Sequence, residues 1–285
     1  MGRSDGPAYP ADVLEPAAWD PRIHPAFAWL TRWMFRKKFA GVRVVRGSPD
    51  VLAALDVVRG PVIVCMNHAS WWDPLLGILI WSRSFPSRGG VSPIDLDQFR
   101  KFKIFAKLGL FGIAPDHPGA SRAFEAYVSQ HFADDAKPTL YLTPQGRFTD
   151  VREAIRIRPG AAAIASKHPG AKVVSVAAEY AFWGEQKPEV FVRAVEIDAP
   201  ETPSRGNWQR AITATMQSNA DELARLVIQK DAGPFDNLIE TKTAGVHPLY
   251  NAWLRLRGHD PRVEVRRETD RARRDARPGR EGRPA

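Results

Sequence analysis

The sequence predicts an α/β layered domain with a mostly parallel central sheet flanked by helices. Between about residue 41 and residue 200, short apolar runs alternate with longer segments of helical periodicity. This alternation is typical of parallel sheets, because parallel neighbours are joined by helix-sized crossovers. A length of 285 residues with 44% hydrophobic residues is sufficient for one domain with a full core.

Apolar runs and hydrophobic periodicity locate the individual elements. Strands are predicted at 42–46, 61–66, 139–143, 172–180 and 189–197. Helices are predicted at 23–39, 74–83, 98–108, 119–133, 158–167, 207–230 and 247–257. The folded domain is therefore expected to span 23–260, beginning with the helix at 23–39 and ending with the helices between 207 and 257.

The two terminal segments lack such patterns. Residues 1–22 are rich in proline, alanine and aspartate, and the tail at 261–285 holds nine arginines, five acidic residues and hardly an apolar one. Both segments are predicted to be disordered. For the Arg-rich tail, a solvated segment is the simpler interpretation and adhesion to anionic lipid is the alternative.

The charge and the aromatic content favour an anionic partner. The chain has a formal charge of +9 and a pI near 9.9, with nine tryptophans and fourteen phenylalanines. In the helix at 23–39, Trp29 and Trp33 accompany an apolar stripe, and basic residues end the helix. Packing against the domain and binding to an anionic membrane surface are equally weighted for this helix. The basic residues fit no recognisable nucleic-acid-binding module, so no nucleic-acid partner is expected.

The chain is expected in the cytoplasm, soluble or peripheral on the inner face of the cell membrane. The first residues show no apolar core of signal-peptide length, and no run approaches the ~18 apolar residues of a spanning helix. Cys65 is the one cysteine, which excludes an intrachain disulfide and makes a cysteine-based metal site implausible. No metal site and no cofactor are predicted.

A histidine and a carboxylate follow the predicted strand at 61–66. His68 and Asp73 stand five residues apart, and Pro74 follows. On a continuous helix they would point about 140° apart, so they meet only if a turn precedes the helix. Asp73 as N-cap and Pro74 as first helical residue permit such a turn. From this segment, a catalytic pair and a simple helix cap carry equal weight.

A second polar turn follows the predicted strand at 139–143. It contains Pro144, Gln145, Gly146 and Arg147, a Pro-x-Gly turn with a basic residue. Such a turn is typical of a backbone cradle for a polar or anionic group, although proline and glycine mark many turns. Its position about seventy residues after His68 gives it more significance.

Together these segments resemble the glycerolipid acyltransferase family typified by bacterial 1-acylglycerol-3-phosphate acyltransferases. That family carries an Asn-His-x-Ser-x-x-Asp motif, which 67–73 matches, and a block reading approximately Phe-Pro-Glu-Gly-Thr-Arg-Ser, with which 143–149 aligns. The segment 107–113 is similar to the one that leads to a third block. The resemblance covers roughly 40–200 and implies a glycerol-3-phosphate acyltransferase-like fold.

The resemblance also implies a mechanism and its substrates. His68, oriented by Asp73, would take the proton of a lysophospholipid or related lipid alcohol. The acyl donor would be acyl-CoA or acyl-carrier protein. Pro144, Gln145, Gly146 and Arg147 would bind the acceptor or the oxyanion, the latter through backbone N–H groups.

The chain departs from the family pattern where the acceptor would bind. Gln145 replaces the usual glutamate, Asp116 lies near where a phosphate-binding arginine would be, and Glu179 stands close to the expected proline of the last block. Replacement charge for an anionic group is available from nearby arginines. These are Arg122, Arg147, Arg152, Arg156 and Arg158. Two alternatives stay open: a catalytically weak lipid-binding or scaffold protein of the same fold, and an acyl-thioester hydrolase.

Overall fold

A computed structural model describes residues 9–240 and 256–257 of the chain, and most of them belong to helices or strands. The strands are β1 (Leu14–Glu15), β2 (Gly41–Val45), β3 (Val62–Met66), β4 (Gly90–Asp95), β5 (Leu110–Ile113), β6 (Thr139–Leu142), β7 (Lys172–Ala181), β8 (Glu189–Ile197) and β9 (Phe235–Glu240). The helices are α1 (Ile23–Lys38), α2 (Ser48–Val57), α3 (Asp73–Ser84), α4 (Leu96–Lys101), α5 (Ile104–Lys107), α6 (Ala120–Asp134), α7 (Gly160–Lys167) and α8 (Arg205–Ile228).

The nine strands form one sheet in the order β1-β5-β4-β6-β3-β7-β8-β2-β9. The pairings β2–β8, β3–β6, β3–β7, β4–β5 and β4–β6 are parallel. The pairings β1–β5, β2–β9 and β7–β8 are antiparallel. The predicted α/β domain with a mostly parallel sheet flanked by helices is confirmed.

The core lies in layers on both faces of this sheet. Along β3, Ile63 and Cys65 pack with α6, α7 and α8, whereas Val62 and Val64 pack with α1, α2 and α3. All five residues of β3 are buried, as expected for a strand covered on both faces. The segment that follows β3 therefore leaves the centre of the molecule.

The five predicted strands and most of the predicted helices are present, with ends shifted by at most two residues. The predicted helix at 98–108 is instead the two helices α4 and α5, because Phe102 between them has a non-helical φ of −120° and ψ of 85°. Sequence patterns missed β1, β4, β5, β9 and α2. The predicted helix at 247–257 lies outside the described residues except for its last two positions.

The predicted disorder of 1–22 is wrong for residues 9–22. β1 pairs with the edge strand β5, and Val13 and Leu14 are buried in the core. Further hydrogen bonds hold the segment, since the N–H groups of Ala17, Ala18 and Asp20 donate to Tyr127, Ala106 and Lys107. Residues 1–8 and the predicted tail at 261–285 lie outside the described residues.

Arg88, between α3 and β4, is the one fully buried arginine among the described residues. Its Nε donates to Thr139 Oγ1 at the start of β6, at 2.9 Å. Its other four N–H groups donate to backbone carbonyls. The acceptors are the carbonyl oxygens of Leu55, Val58, Gly60 and Pro138. Burial lowers the pKa of Arg88, and these acceptors compensate the loss of water around its guanidinium.

No helix among the described residues is both long enough and apolar enough to cross a membrane.

Candidate active site

The two polar segments singled out in the sequence lie at the same edge of the sheet. β3 and β6 are parallel neighbours, and Cys65 of β3 is in register with Leu142 of β6. The polar segments 67–73 and 143–149 follow directly after the carboxyl ends of these strands. In open α/β sheets, ligands commonly bind at this end of the strands.

His68 and Asp73 form the predicted pair. The distance from His68 Nδ1 to Asp73 Oδ2 is 2.9 Å. A turn makes this contact possible, since the Asp73 N–H donates to the Ser70 carbonyl at 3.1 Å. Asp73 is not the N-cap that the sequence predicts, because α3 begins with Asp73 itself and Trp72 occupies the cap position. The carboxylate therefore points back into the turn rather than capping the helix.

The Asp73 carboxylate has no exposed surface and accepts three hydrogen bonds. Besides His68, the Ser70 N–H donates to Oδ2 at 2.8 Å, and the Tyr180 hydroxyl donates to Oδ1 at 2.7 Å. Burial and the neighbouring Asp73 charge raise the pKa of Tyr180 far above its ordinary value, so Tyr180 stays a donor. Among the described residues no Lys or Arg pairs with Asp73, and these donors compensate its burial.

His68 has one ring nitrogen committed and one available. Because the Ser70 N–H fixes Oδ2 as an acceptor, Nδ1 carries the proton in the neutral ring, and Nε2 keeps its lone pair. Nε2 takes part in no hydrogen bond with the described residues. The Phe148 ring lies over the imidazole at 4.2 Å between ring centroids and is itself exposed. This arrangement is the one expected of a general base.

Asn67 attaches the start of this turn to β7. Its Oδ1 accepts from the Ala178 N–H at 2.7 Å, and its Nδ2 donates to the Ala178 carbonyl at 2.9 Å. Both contacts are buried. The side chain thus replaces a missing strand neighbour where β3 has ended and β7 continues.

Gln145 attaches the second polar segment to His68. Its Oε1 accepts from the His68 N–H at 2.8 Å, and its Nε2 donates to Thr149 Oγ1. The Thr149 N–H in turn donates to the His68 carbonyl at 2.8 Å. The Gln145 side chain is buried, and together with Thr149 it holds both the N–H and the carbonyl of His68. The Gln145 amide is therefore occupied by the His68 backbone and Thr149, whereas the sequence predicts that Gln145 binds the acceptor or the oxyanion.

The Pro-x-Gly turn leaves two backbone donors available. The Gly146 N–H is already bonded to the Thr143 carbonyl at 2.9 Å, and Pro144 has no N–H. The N–H groups of Gln145 and Arg147 take part in no hydrogen bond with the described residues. Gly146 has a φ of +67°, and a Cβ there would lie 2.6 Å from Arg158 Nε, so the turn requires glycine.

Two of the predicted anion-binding arginines, Arg147 and Arg158, are exposed and form only long ion pairs. Arg158 lies against Gly146 and is 3.9 Å from Asp116, while Arg147 is 3.7 Å from Glu153. Both guanidinium groups are therefore available to another anionic group.

Two other predicted arginines lie apart from the His68–Asp73 pair in the hydrogen-bond network. Arg152 is bonded to Asp150, and this contact lowers the pKa of that carboxyl. Arg122 is exposed on the first turn of α6. Neither forms a hydrogen bond or ion pair with His68 or Asp73. The part of the chain that the structure describes contains no cluster of His, Cys, Asp and Glu suited to a metal ion.

Sequence reasoning assigned no role to Tyr180. Its partner Asp73 is 107 positions away in the chain. The available signal was an aromatic side chain with a hydroxyl at the end of the predicted strand at 172–180. That signal does not identify Asp73 as the partner, because only the order of the strands in the sheet shows that β7 ends beside the turn at 67–73.

Residues 45–179 match the protein family described as Acyltransferase. The matched range contains His68, Asp73, Gln145 and Gly146 and covers a little under half of the chain.

Among solved structures, the chain is similar to the 1-acyl-sn-glycerophosphate (LPA) acyltransferase PlsC from Thermotoga maritima. The similarity has 18% identity and a TM-score of 0.48, and it covers 70% of this chain and 80% of that one. No curated protein is significantly similar to the chain.

Proposed function

We propose that this protein is an O-acyltransferase that moves a fatty acyl group from acyl-CoA or acyl-carrier protein to the hydroxyl of a lysophospholipid or related lipid alcohol. The observation that carries the proposal is the His68–Asp73 contact of 2.9 Å, with His68 Nε2 left available at the carboxyl end of β3. The Acyltransferase family match over the same residues supports it.

The reaction proceeds by direct transfer. His68 Nε2 takes the proton from the acceptor hydroxyl, and the hydroxyl oxygen forms a bond to the thioester carbonyl carbon. When the tetrahedral intermediate collapses, the carbon–sulfur bond breaks and the sulfur leaves with the proton from the imidazolium. The products are an acyl ester and a free thiol. Asp73 stabilises the imidazolium between these steps.

The oxyanion of the intermediate requires hydrogen-bond donors. The free backbone N–H groups of Gln145 and Arg147 are the candidates, since the Gly146 N–H is used inside the turn. They lie in the segment that Gln145 and Thr149 join to the His68 backbone. The base and the oxyanion donors would then move as one unit.

An anionic acceptor headgroup would contact Arg147 and Arg158. Both guanidinium groups are exposed, and their carboxylate partners are 3.7 and 3.9 Å away, so a phosphate would compete well for them. Arg122 and Arg152 are weaker candidates, because neither is bonded to this turn.

We also propose that α1 rests on an anionic membrane surface, on the cytoplasmic face. One face of α1 is buried against the domain through Ala28, Thr31 and Phe35. On the opposite face, Trp29 is 67% and Trp33 48% exposed, and three basic residues form the last turn. Exposed indole rings beside cationic side chains suit the headgroup region of an anionic bilayer.

The buried face of α1 packs against the turn that holds His68. The Phe35 ring of α1 contacts Trp72, and Trp72 contacts Trp71, which is 65% exposed. Trp71, in the same segment as His68, would supply a further exposed indole for the membrane surface, which supports an acceptor that is itself a membrane lipid.

The catalytic proposal is tested with purified protein, labelled acyl-CoA and a panel of lysophospholipids and neutral lipid alcohols. Acyl-lipid product is expected with wild type, and His68→Ala is expected to reduce it at least about 10²-fold. His117→Ala, an exposed histidine away from the pair, is the matched control. Free fatty acid as the sole product would mean a hydrolase. Liposome binding without turnover for either donor would mean a scaffold.

The membrane proposal is tested by sedimentation with vesicles of phosphatidylcholine and phosphatidylglycerol, and of phosphatidylcholine alone. The double variant Trp29→Ser/Trp33→Ser is expected to bind the anionic vesicles about tenfold or more weakly. Ile228→Ser, which removes an equally exposed apolar side chain from α8, should bind like wild type. Equal loss in both variants would contradict a specific role for α1.

A further inference from the structure

We infer that Tyr180 is a positioning residue for the His68–Asp73 pair. Its hydroxyl fixes the Asp73 carboxylate and, through that carboxylate, the orientation of the imidazole. The expected effect on turnover rests on the proposed acyl transfer. The expected effect on the orientation of His68 does not depend on that proposal. Tyr180 contacts neither the free ring nitrogen of His68 nor the donors of the Pro-x-Gly turn.

The carboxylate of Asp73 has one oxygen with two partners and one oxygen with a single partner. Oδ2 accepts from His68 Nδ1 and the Ser70 N–H, and Oδ1 accepts from the Tyr180 hydroxyl at 2.7 Å. Because Asp73 has no exposed surface, water does not replace a missing donor at Oδ1. Without the hydroxyl, Oδ1 would be a buried acceptor without a partner. The carboxylate would then be free to rotate away from His68.

The position of Tyr180 is fixed by the same strand that holds the start of the turn. Ala178 and Tyr180 are two residues apart on β7 and face the same side of the sheet. Ala178 is bonded twice to Asn67, and Tyr180 is bonded to Asp73. One short stretch of β7 therefore holds both ends of the segment in which His68 lies.

The Tyr180 ring is held by packing as well. It packs in the core beside α1 and α3, and its centroid is 5.8 Å from that of Phe39. Burial, followed by the charge of Asp73, raises its pKa far above the ordinary value. The hydroxyl thus keeps its proton near neutral pH and donates it to Asp73 Oδ1. Among the described residues, His68 and Tyr180 are the titratable groups in contact with Asp73.

The matched pair of variants is Tyr180→Phe and Tyr141→Phe in the full chain. Both remove one hydroxyl from a partly buried ring that packs against the same core cluster. The Tyr141 hydroxyl, however, is buried without a hydrogen-bond partner among the described residues. In the acyl-transfer assay, kcat of Tyr180→Phe is expected to fall about 10–100-fold with KM within about twofold. Tyr141→Phe is expected to keep the wild-type kcat.

A second readout does not need turnover. In protein labelled with ¹⁵N-histidine, NMR reports the tautomer of His68 directly. Wild type should show the Nδ1–H form. Tyr180→Phe should show a mixture of the Nδ1–H and Nε2–H forms, because a carboxylate that rotates away from His68 no longer holds the proton on Nδ1.

These outcomes separate the inference from the proposed function. If wild type transfers no acyl group but Tyr180→Phe changes the His68 tautomer, the proposed function fails and the positioning role stands. If Tyr180→Phe matches Tyr141→Phe in both readouts, the inference is overturned. A loss of kcat that accompanies a lower unfolding temperature and an unchanged His68 tautomer overturns it too, since that result describes a structural tyrosine.

Discussion

The two halves of the candidate site are built in opposite ways. In the half around His68, Asp73 and Asn67, the side chains are largely buried and each polar contact has a fixed partner. In the half around Arg147 and Arg158, the side chains are exposed and their ion pairs are long. The first half is part of the core, whereas the second belongs to the surface.

Under the proposed function, the buried half transfers the proton and the exposed half binds the lipid headgroup. A proton-transfer pair requires sub-ångström geometry, which buried hydrogen bonds on strands supply. Recognition of a lipid headgroup tolerates adjustable, exposed cations that exchange a weak intramolecular partner for a phosphate. Substitutions in the buried half should therefore change kcat, and substitutions in the exposed half should change KM.

The largest effect is expected from Asp73→Asn. The amide nitrogen would face either a ring N–H, a backbone N–H or the Tyr180 hydroxyl, so at least one donor would lose its acceptor. We expect kcat to fall about 10²–10⁴-fold. Steady-state kinetics with the best acceptor measures the fall. A kcat within threefold of wild type would show that Asp73 is not needed for catalysis. It would also contradict the expectation that the buried half determines kcat.

The next largest effect is expected from Gln145→Ala. The His68 N–H would lose its acceptor inside the protein, at a cost of about 1–3 kcal/mol in the free energy of unfolding. We expect kcat to fall about tenfold, because the base and the oxyanion turn would no longer be joined by this amide. Urea unfolding and initial rates measure the two quantities. Gln130→Ala, on the exposed face of α6, is the control and should change neither.

A moderate effect confined to KM is expected from Arg158→Ala. Loss of a charge-assisted contact should raise KM for an anionic lysophospholipid about tenfold and leave kcat within twofold. Arg152→Ala, which removes an exposed arginine paired with Asp150, should change KM less than about twofold. Equal changes in KM for anionic and neutral acceptors would show that Arg158 does not recognise the charge of the acceptor.

The smallest effect is expected from Glu179→Gln, between the two β7 residues that hold the turn. Burial raises the pKa of Glu179, and its carboxylate has no hydrogen bond or ion pair with the described residues. A raised carboxyl pKa favours folding at low pH, and that contribution is lost as pH rises through the folded-state pKa. The variant should therefore be slightly more stable than wild type at pH 8 and show a flatter pH dependence. Urea titrations at pH 5 and pH 8 test this against Glu201→Gln, an exposed control.

Local sequence patterns predicted those helices and strands whose residues favour the structure that they adopt. β3 and β8 were predicted because their residues form apolar runs of strand length that are rich in β-branched side chains. β4 was missed because Gly90 and Pro93 mark a turn in sequence, and its pairing with β5 and β6 is a tertiary fact.

The same distinction applies to the site. The spacing of His68 and Asp73 left a catalytic pair and a helix cap equally weighted, and the family resemblance favoured the pair, whose partners lie in one turn. The side-chain contacts of Gln145 and Tyr180 span 77 and 107 positions in sequence. No local pattern reports which side chains meet across strands. The His68–Asp73 pair was therefore predictable, and the residues that hold it were not.

Arg88 lies at the amino ends of β3 and β6, opposite the end at which the candidate site lies. Its guanidinium donates to the Gly60 carbonyl before β3 and to Pro138 and Thr139 at the start of β6. These bonds oppose sliding of the two neighbouring strands past each other. Any slip there would appear, at the other end of the strands, as a mismatch between His68 and Gln145. Lysine has three donors for five acceptors and could not hold this alignment. The alignment of the two segments of the candidate site is thus supported by a buried residue at the opposite end of the strands.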